Sequence, residues 1–108
     1  MDEELQLVAF QIIAAGGSAR GMYVQAFELA RQGRYEEAEE SIRQGDALFL
    51  QGHDAHTAVL QKVASGEPLA VDILLVHAED QMAAAETCKL MAEELIELNK
   101  KIDKIDAA

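Results

Sequence analysis

Tryptophan is absent from this chain, proline and cysteine occur once each, and aromatic residues make up only 5% of it. With a single cysteine, Cys88, no intramolecular disulfide can form, which suits a reducing compartment. Basic residues are also few. There are 9 Lys and Arg against 20 Asp and Glu, a formal net charge of −11. That balance leaves no basic footprint for nucleic acid. It also opposes adsorption to an anionic membrane and would steer a basic protein partner inward. No run approaches the roughly 18 consecutive apolar residues of a membrane span. The opening MDEELQ is acidic, unlike a secretory signal. A cytoplasmic, soluble protein is the expectation.

What is present favours helix. Half of the 108 residues are apolar, with Ala, Leu, Ile, Glu and Gln abundant, enough for one domain over residues 1–108 with its own core. A core this small would gain by being shared with copies of itself. Gly33, and then Gly66 with Pro68, break the chain into segments too long to be strands. Helices are expected over about 2–32, 35–64 and 71–105. The first carries an apolar seam at Leu5, Val8, Ile12, Ala15, Ala19, Met22, Ala26 and Leu29, spaced alternately three and four apart. The second carries one at Tyr35, Ala38, Ile42, Gly45, Phe49, Gly52, His56, Val59 and Val63. A neighbouring stripe of Leu50, His53, Thr57 and Leu60 suggests that this helix buries a broad face. The third seam reads Leu74, His77, Gln81, Ala84, Cys88, Met91, Leu95, Leu98, Ile102 and Ile105. Asp72 suits its start, and Lys100, Lys101 and Lys104 suit its end. The expected architecture is an all-α, antiparallel three-helix bundle.

His77 and Gln81 are the strongly polar members of the third seam, and Asp80 flanks them. A polar seam residue can simply fix register and oligomer number. Such a reading makes the chain a non-catalytic helical oligomerisation module. Proximity argues for more. His56 lies about nine residues before the 65–70 connection and His77 about seven after it, so antiparallel helices put them near one level. His53 lies one turn from His56. A zinc site from His53, His56, His77 and Asp80 is one possibility, which would make the chain a metal-binding helical bundle. No His-Glu-x-x-His or cysteine pair supports it. Cys88, two turns beyond Gln81 on the apolar seam, reads as packing rather than as a nucleophile. Glu79, two residues from His77, points to another side of the helix and reads as solvated surface. A neutral imidazole can itself accept and return a phosphoryl group, with amide and N–H groups nearby to hold the oxygens.

Three stretches carry a resemblance along nearly the whole chain: AFQIIAAGGSAR near the start, QGHDAHTAVLQKVASGE in the middle, and VHAEDQM in the third helix. With these, the sequence resembles the lactose/cellobiose-type enzyme IIA components of the bacterial sugar phosphotransferase system. The resemblance implies three-helix subunits in a homotrimer with a coiled-coil-like core. It implies a carrier that takes a phosphoryl group from the histidine-containing phosphocarrier protein. The group passes to a cysteine of enzyme IIB and, with the membrane enzyme IIC, onto a disaccharide of the lactose, cellobiose or chitobiose class. It makes His77 the phosphorylated residue, supported by Gln81, His53 and His56. It places Asp80 at the trimer axis around a metal ion, magnesium. The family pattern around the acceptor is His-x-Gln-Asp-His, where this chain has His77, Ala78, Glu79, Asp80 and Gln81. The family's middle motif is His-x-x-Gln-Thr, where this chain has His53, Asp54, Ala55, His56 and Thr57. A contact between Gln81 and His56 would preserve the donors and acceptors of the family site.

Overall fold

The computed structural model describes residues 3–107; the expected start of the first helix at residue 2 lies outside them. The chain forms α1 (Glu3–Arg31), α2 (Tyr35–Ala64) and α3 (Ile73–Ala107), with no strand among the described residues. The all-α reading therefore holds. Contacts such as Tyr23 with Asp46 and His56 with Glu79 join residues on opposite sides of each connection, so neighbouring helices are antiparallel. The bundle is slender, 61 × 20 × 19 Å.

The helix ends follow from local chemistry. After α1, the N–H of Arg34 donates to the Leu29 carbonyl and that of Gly33 to Ala30, a Schellman closure with Gly33 at φ 77°. α2 closes in the same way, with Glu67 donating to Lys62, Gly66 to Val63, and Gly66 at φ 90°. A side chain at either glycine would meet the left-handed backbone penalty. The start of α3 is capped by Asp72, whose Oδ1 accepts from the N–H groups of Leu74 and Leu75 at 3.0 and 3.1 Å.

α1 is the central helix. It packs on both α2 and α3, which touch each other little. The core is largely alanine. Ala19, Ala26, Ala30, Ala38, Ala85 and Ala92 cluster with Tyr23, Ile42 and Ile96 at one end, and Ala9 and Ala78 with Ile12 and Met82 toward the other. Such small residues bring helices close. At the tightest point a methyl on Gly45 would lie 2.6 Å from Cε1 of the buried Tyr23 ring. The central position also explains why α1, by length and composition, is apolar enough to cross a membrane. The helix contains no run near the roughly 18 consecutive apolar residues of a span, in keeping with the sequence reading.

The seams need adjustment. In α1, Ile12, Ala15, Ala19 and Ala26 are buried together with Ala9, Gly16, Tyr23 and Ala30. In α2, Ala38, Ile42, Gly45, Gly52 and Val59 are buried, but Leu50 and Leu60 of the second stripe are about half exposed, at 55% and 52%. The broad burial expected of α2 does not occur within one chain. In α3 the buried positions are Leu75, Ala78, Met82, Ala85, Ala92 and Ile96, one residue out of step with the expected seam. Of that seam, Met91, Leu98, Ile102 and Ile105 are exposed. α3 is therefore apolar on two adjoining faces, and α1 covers one of them.

Candidate functional site

Ala78 and Met82 pack with Ala9 and Ile12 of α1 and fix the phase of the first turns of α3. His77 and Asp80 are left exposed by that phase. Among the described residues neither forms a side-chain hydrogen bond or ion pair. His77 thus presents an uncommitted imidazole. Asp80 lies within one turn of it, beside Val76, which is half exposed.

The remaining candidate residues each pack against a neighbour. Gln81 is half-buried against α1: a methyl on Gly16 would come 3.2 Å from its backbone and Cβ, so the absence of a side chain at Gly16 sets the approach of α3 here. His56 meets Glu79, with Nε2 2.5 Å from Oε1, and its side chain is only 16% exposed. Contact between Gln81 and His56 is thereby corrected: the partner of His56 is Glu79, which is hydrogen-bonded across to α2 rather than free surface. The level estimate failed on phase, not on height. His56 does meet α3 within two residues of His77, but two residues turn the helix about 200°, which leaves His77 on another side. His53 stacks on the ring of Phe49, with centroids 5.9 Å apart and planes at 20°. It lines a groove of about 680 Å³ with Tyr23, Asp46, Leu50 and Lys89.

The histidines are therefore not gathered into one cluster. No group of three or more His, Cys, Asp or Glu side chains able to hold a metal exists among the described residues. The proposed four-ligand zinc site is excluded within one chain, because its members occupy different faces. Asp80 alone offers a single carboxylate; only copies from neighbouring chains could complete an oxygen-only donor set, the kind a hard cation prefers. Cys88 is partly buried and free, packed against the larger core cluster.

Sequence reasoning missed a polar network across all three helices. The Tyr23 hydroxyl donates to Asp46 Oδ1 at 2.7 Å, and Lys89 Nζ lies 3.1 Å from the same oxygen. Burial, then the hydrogen bond to Asp46, pushes the Tyr23 hydroxyl far above its ordinary range. No motif marks these residues; the signal was a tyrosine in an alanine-rich stripe and a glycine on α2 to receive its ring.

The family model for the lactose/cellobiose-specific IIA subunit of the phosphotransferase system matches residues 7–100. The chain belongs to that family. It is 37% identical over 102 residues to the lichenan-specific phosphotransferase enzyme IIA component of Bacillus subtilis, covering 94% of this chain and 93% of that one. It is 33% identical over 99 residues to the lactose-specific EIIA component of Streptococcus mutans, covering 92% and 95%. The crystal structure of the cellobiose-specific enzyme IIA of Bacillus anthracis superposes with a TM-score of 0.90 at 33% identity, covering 96% and 95% of the two chains. The IIA chain is thus an enzyme component of a sugar phosphotransferase system, and the exposed imidazole of His77 is the group in it to be explained.

Proposed function

We propose that this IIA protein is a phosphoryl carrier in which His77 accepts the group from the histidine-containing phosphocarrier protein and hands it to enzyme IIB. The observation that carries the reading is the exposed, unpaired His77 on α3 of a chain from this family. In the first step a nitrogen of neutral His77 attacks phosphorus. A new P–N bond forms as the donor's P–N bond breaks, and the donor recovers its imidazole. In the second step the IIB cysteine thiolate attacks, an S–P bond forms and the His77 P–N bond breaks. A histidine that serves two proteins in turn has to be reachable, and exposure provides that. Gln81, one turn on, supplies an amide to the phosphoryl oxygens. His53 and His56 act from the α2 side, indirectly within one chain.

The protein works as a homotrimer in the cytoplasm. Met91, Leu98, Ile102 and Ile105, 44–67% exposed in one chain, supply the apolar face that three copies of α3 bury together. Asp80 stands on the amino-terminal stretch of the same helix, and three copies of it would hold magnesium. The ion supplies positive charge that relieves repulsion between carboxylates brought together. The sugar is a disaccharide of the lactose, cellobiose or chitobiose class, taken up and phosphorylated through IIB and the membrane enzyme IIC. The test is a chase. Protein labelled through the phosphocarrier should lose its label on addition of a IIB protein, with the label recovered on the IIB cysteine. Label that stays on the IIA chain with every IIB tried would contradict the carrier role.

A further inference from the structure

The α2–α3 seam is closed by polar rungs. Passing away from His77, these are His56 with Glu79, Asp46 with Lys89, Glu39 with Lys100, and Tyr35 with Asp103. The rung nearest His77 is peculiar in its consequence. It commits Glu79, a carboxylate two residues from the acceptor and half exposed, to a side chain on the neighbouring helix. Released, the glutamate is free to swing around the helix from the α2 side, and its negative charge would come nearer the side that carries His77. The incoming phosphoryl group carries between one and two negative charges of its own. His56, mostly covered, is a fixed anchor that holds the carboxylate on the α2 side. Both residues stand where the chain departs from the motif pattern, and the two departures meet in one contact.

We propose that His56 is a positioning residue that binds Glu79 on the α2 face and so keeps its charge away from a phosphoryl group arriving at His77. The inference rests on the carrier reading above. A tie that merely braced two helices would make a different prediction, and the two are separated by combining substitutions. Uptake of label from the phosphorylated phosphocarrier is to be timed for the parent, His56→Ala, Glu79→Gln and the double variant, at low and high salt. His56→Ala should slow uptake about twofold, the size expected when an existing charge is moved a few ångströms nearer through a wet surface. The defect should shrink at high salt. Glu79→Gln should take up label at least as fast as the parent, and the double variant should match it, because no charge remains to be held. A double variant as slow as His56→Ala would overturn the proposal and make the tie a brace or His56 a direct contact. A parent-like His56→Ala would also overturn it. Should His56→Ala not fold, the ring resonances of His56 in Glu79→Gln decide whether the tie exists, and an unchanged spectrum overturns it. A parent that takes no label at His77 sinks the carrier reading and this inference together, whereas a labelled parent with equal rates across the set sinks this inference alone.

Discussion

Two tyrosines report on single contacts, because the chain has no tryptophan to obscure them. The hydrogen bond to Asp103, followed by desolvation, pushes the Tyr35 hydroxyl to about 12. Burial pushes Tyr23 higher still. Both shifts favour the neutral, folded form. Their stabilisation is fully present below the unfolded-state value near 10 and is lost as pH rises through the folded-state values. Near pH 10 the folded protein should therefore show little tyrosinate absorbance, and urea should raise it sharply at the same pH. Tyrosinate already formed in the folded protein near pH 10 would contradict the contacts described. Gly45 is the second residue-scale test. A methyl there would lie 2.6, 2.9 and 3.0 Å from three atoms of the buried Tyr23 ring. Alanine gains about 1 kcal/mol in helix propensity, but overpacking costs about 1–3 kcal/mol. Gly45→Ala should lower the melting temperature, and an unchanged or raised value would mean that the ring can move aside.

At the scale of helices, much was legible and the failures share a cause. Gly33, Gly66 and Asp72 are visible in the sequence because turn and cap chemistry is local. The stripe of α2 through Ala38, Ile42, Gly45, Gly52 and Val59 was legible because one neighbour, α1, covers it. The α3 seam was one residue out of step because two apolar stripes adjoin and periodicity cannot say which partner takes which. The buried one, Leu75 to Ile96, lies on the side packed in the bundle; the exposed one is left uncovered by the chain's own helices. The site suffered from the same ambiguity. Heights along antiparallel helices followed from counting residues, so His56 was correctly placed near the level of His77. Rotation did not follow, since it is set by Ala78 and Met82 packing on α1, and so Glu79 rather than Gln81 or His77 meets His56. The Tyr23–Asp46–Lys89 network was invisible for the same reason.

At the scale of the whole molecule, the uncovered face of α3 makes assembly the issue. Sedimentation equilibrium at micromolar concentration should give three times the chain mass. Leu98, 52% exposed in one chain, tests the face without touching the core. Leu98→Asp should keep its helical spectrum yet sediment as a smaller species, since assembly would bury an unpaired charge. A trimer that survives the change would place the interface elsewhere. Asp80→Leu should melt higher than the parent in chelator, because three carboxylates no longer oppose assembly; a lower melting temperature would mean that Asp80 is not at a shared axis. The central claim is tested most directly by the acceptor itself. The parent and His77→Gln proteins are each incubated with the phosphocarrier system and assayed for an acid-labile, base-stable phosphate. Glutamine supports the helix but offers no nucleophilic nitrogen. The parent should carry the phosphate at His77 and the variant none, with its helicity intact. Phosphate recovered in the His77→Gln protein, on His53 or His56, would show that the acceptor is not His77.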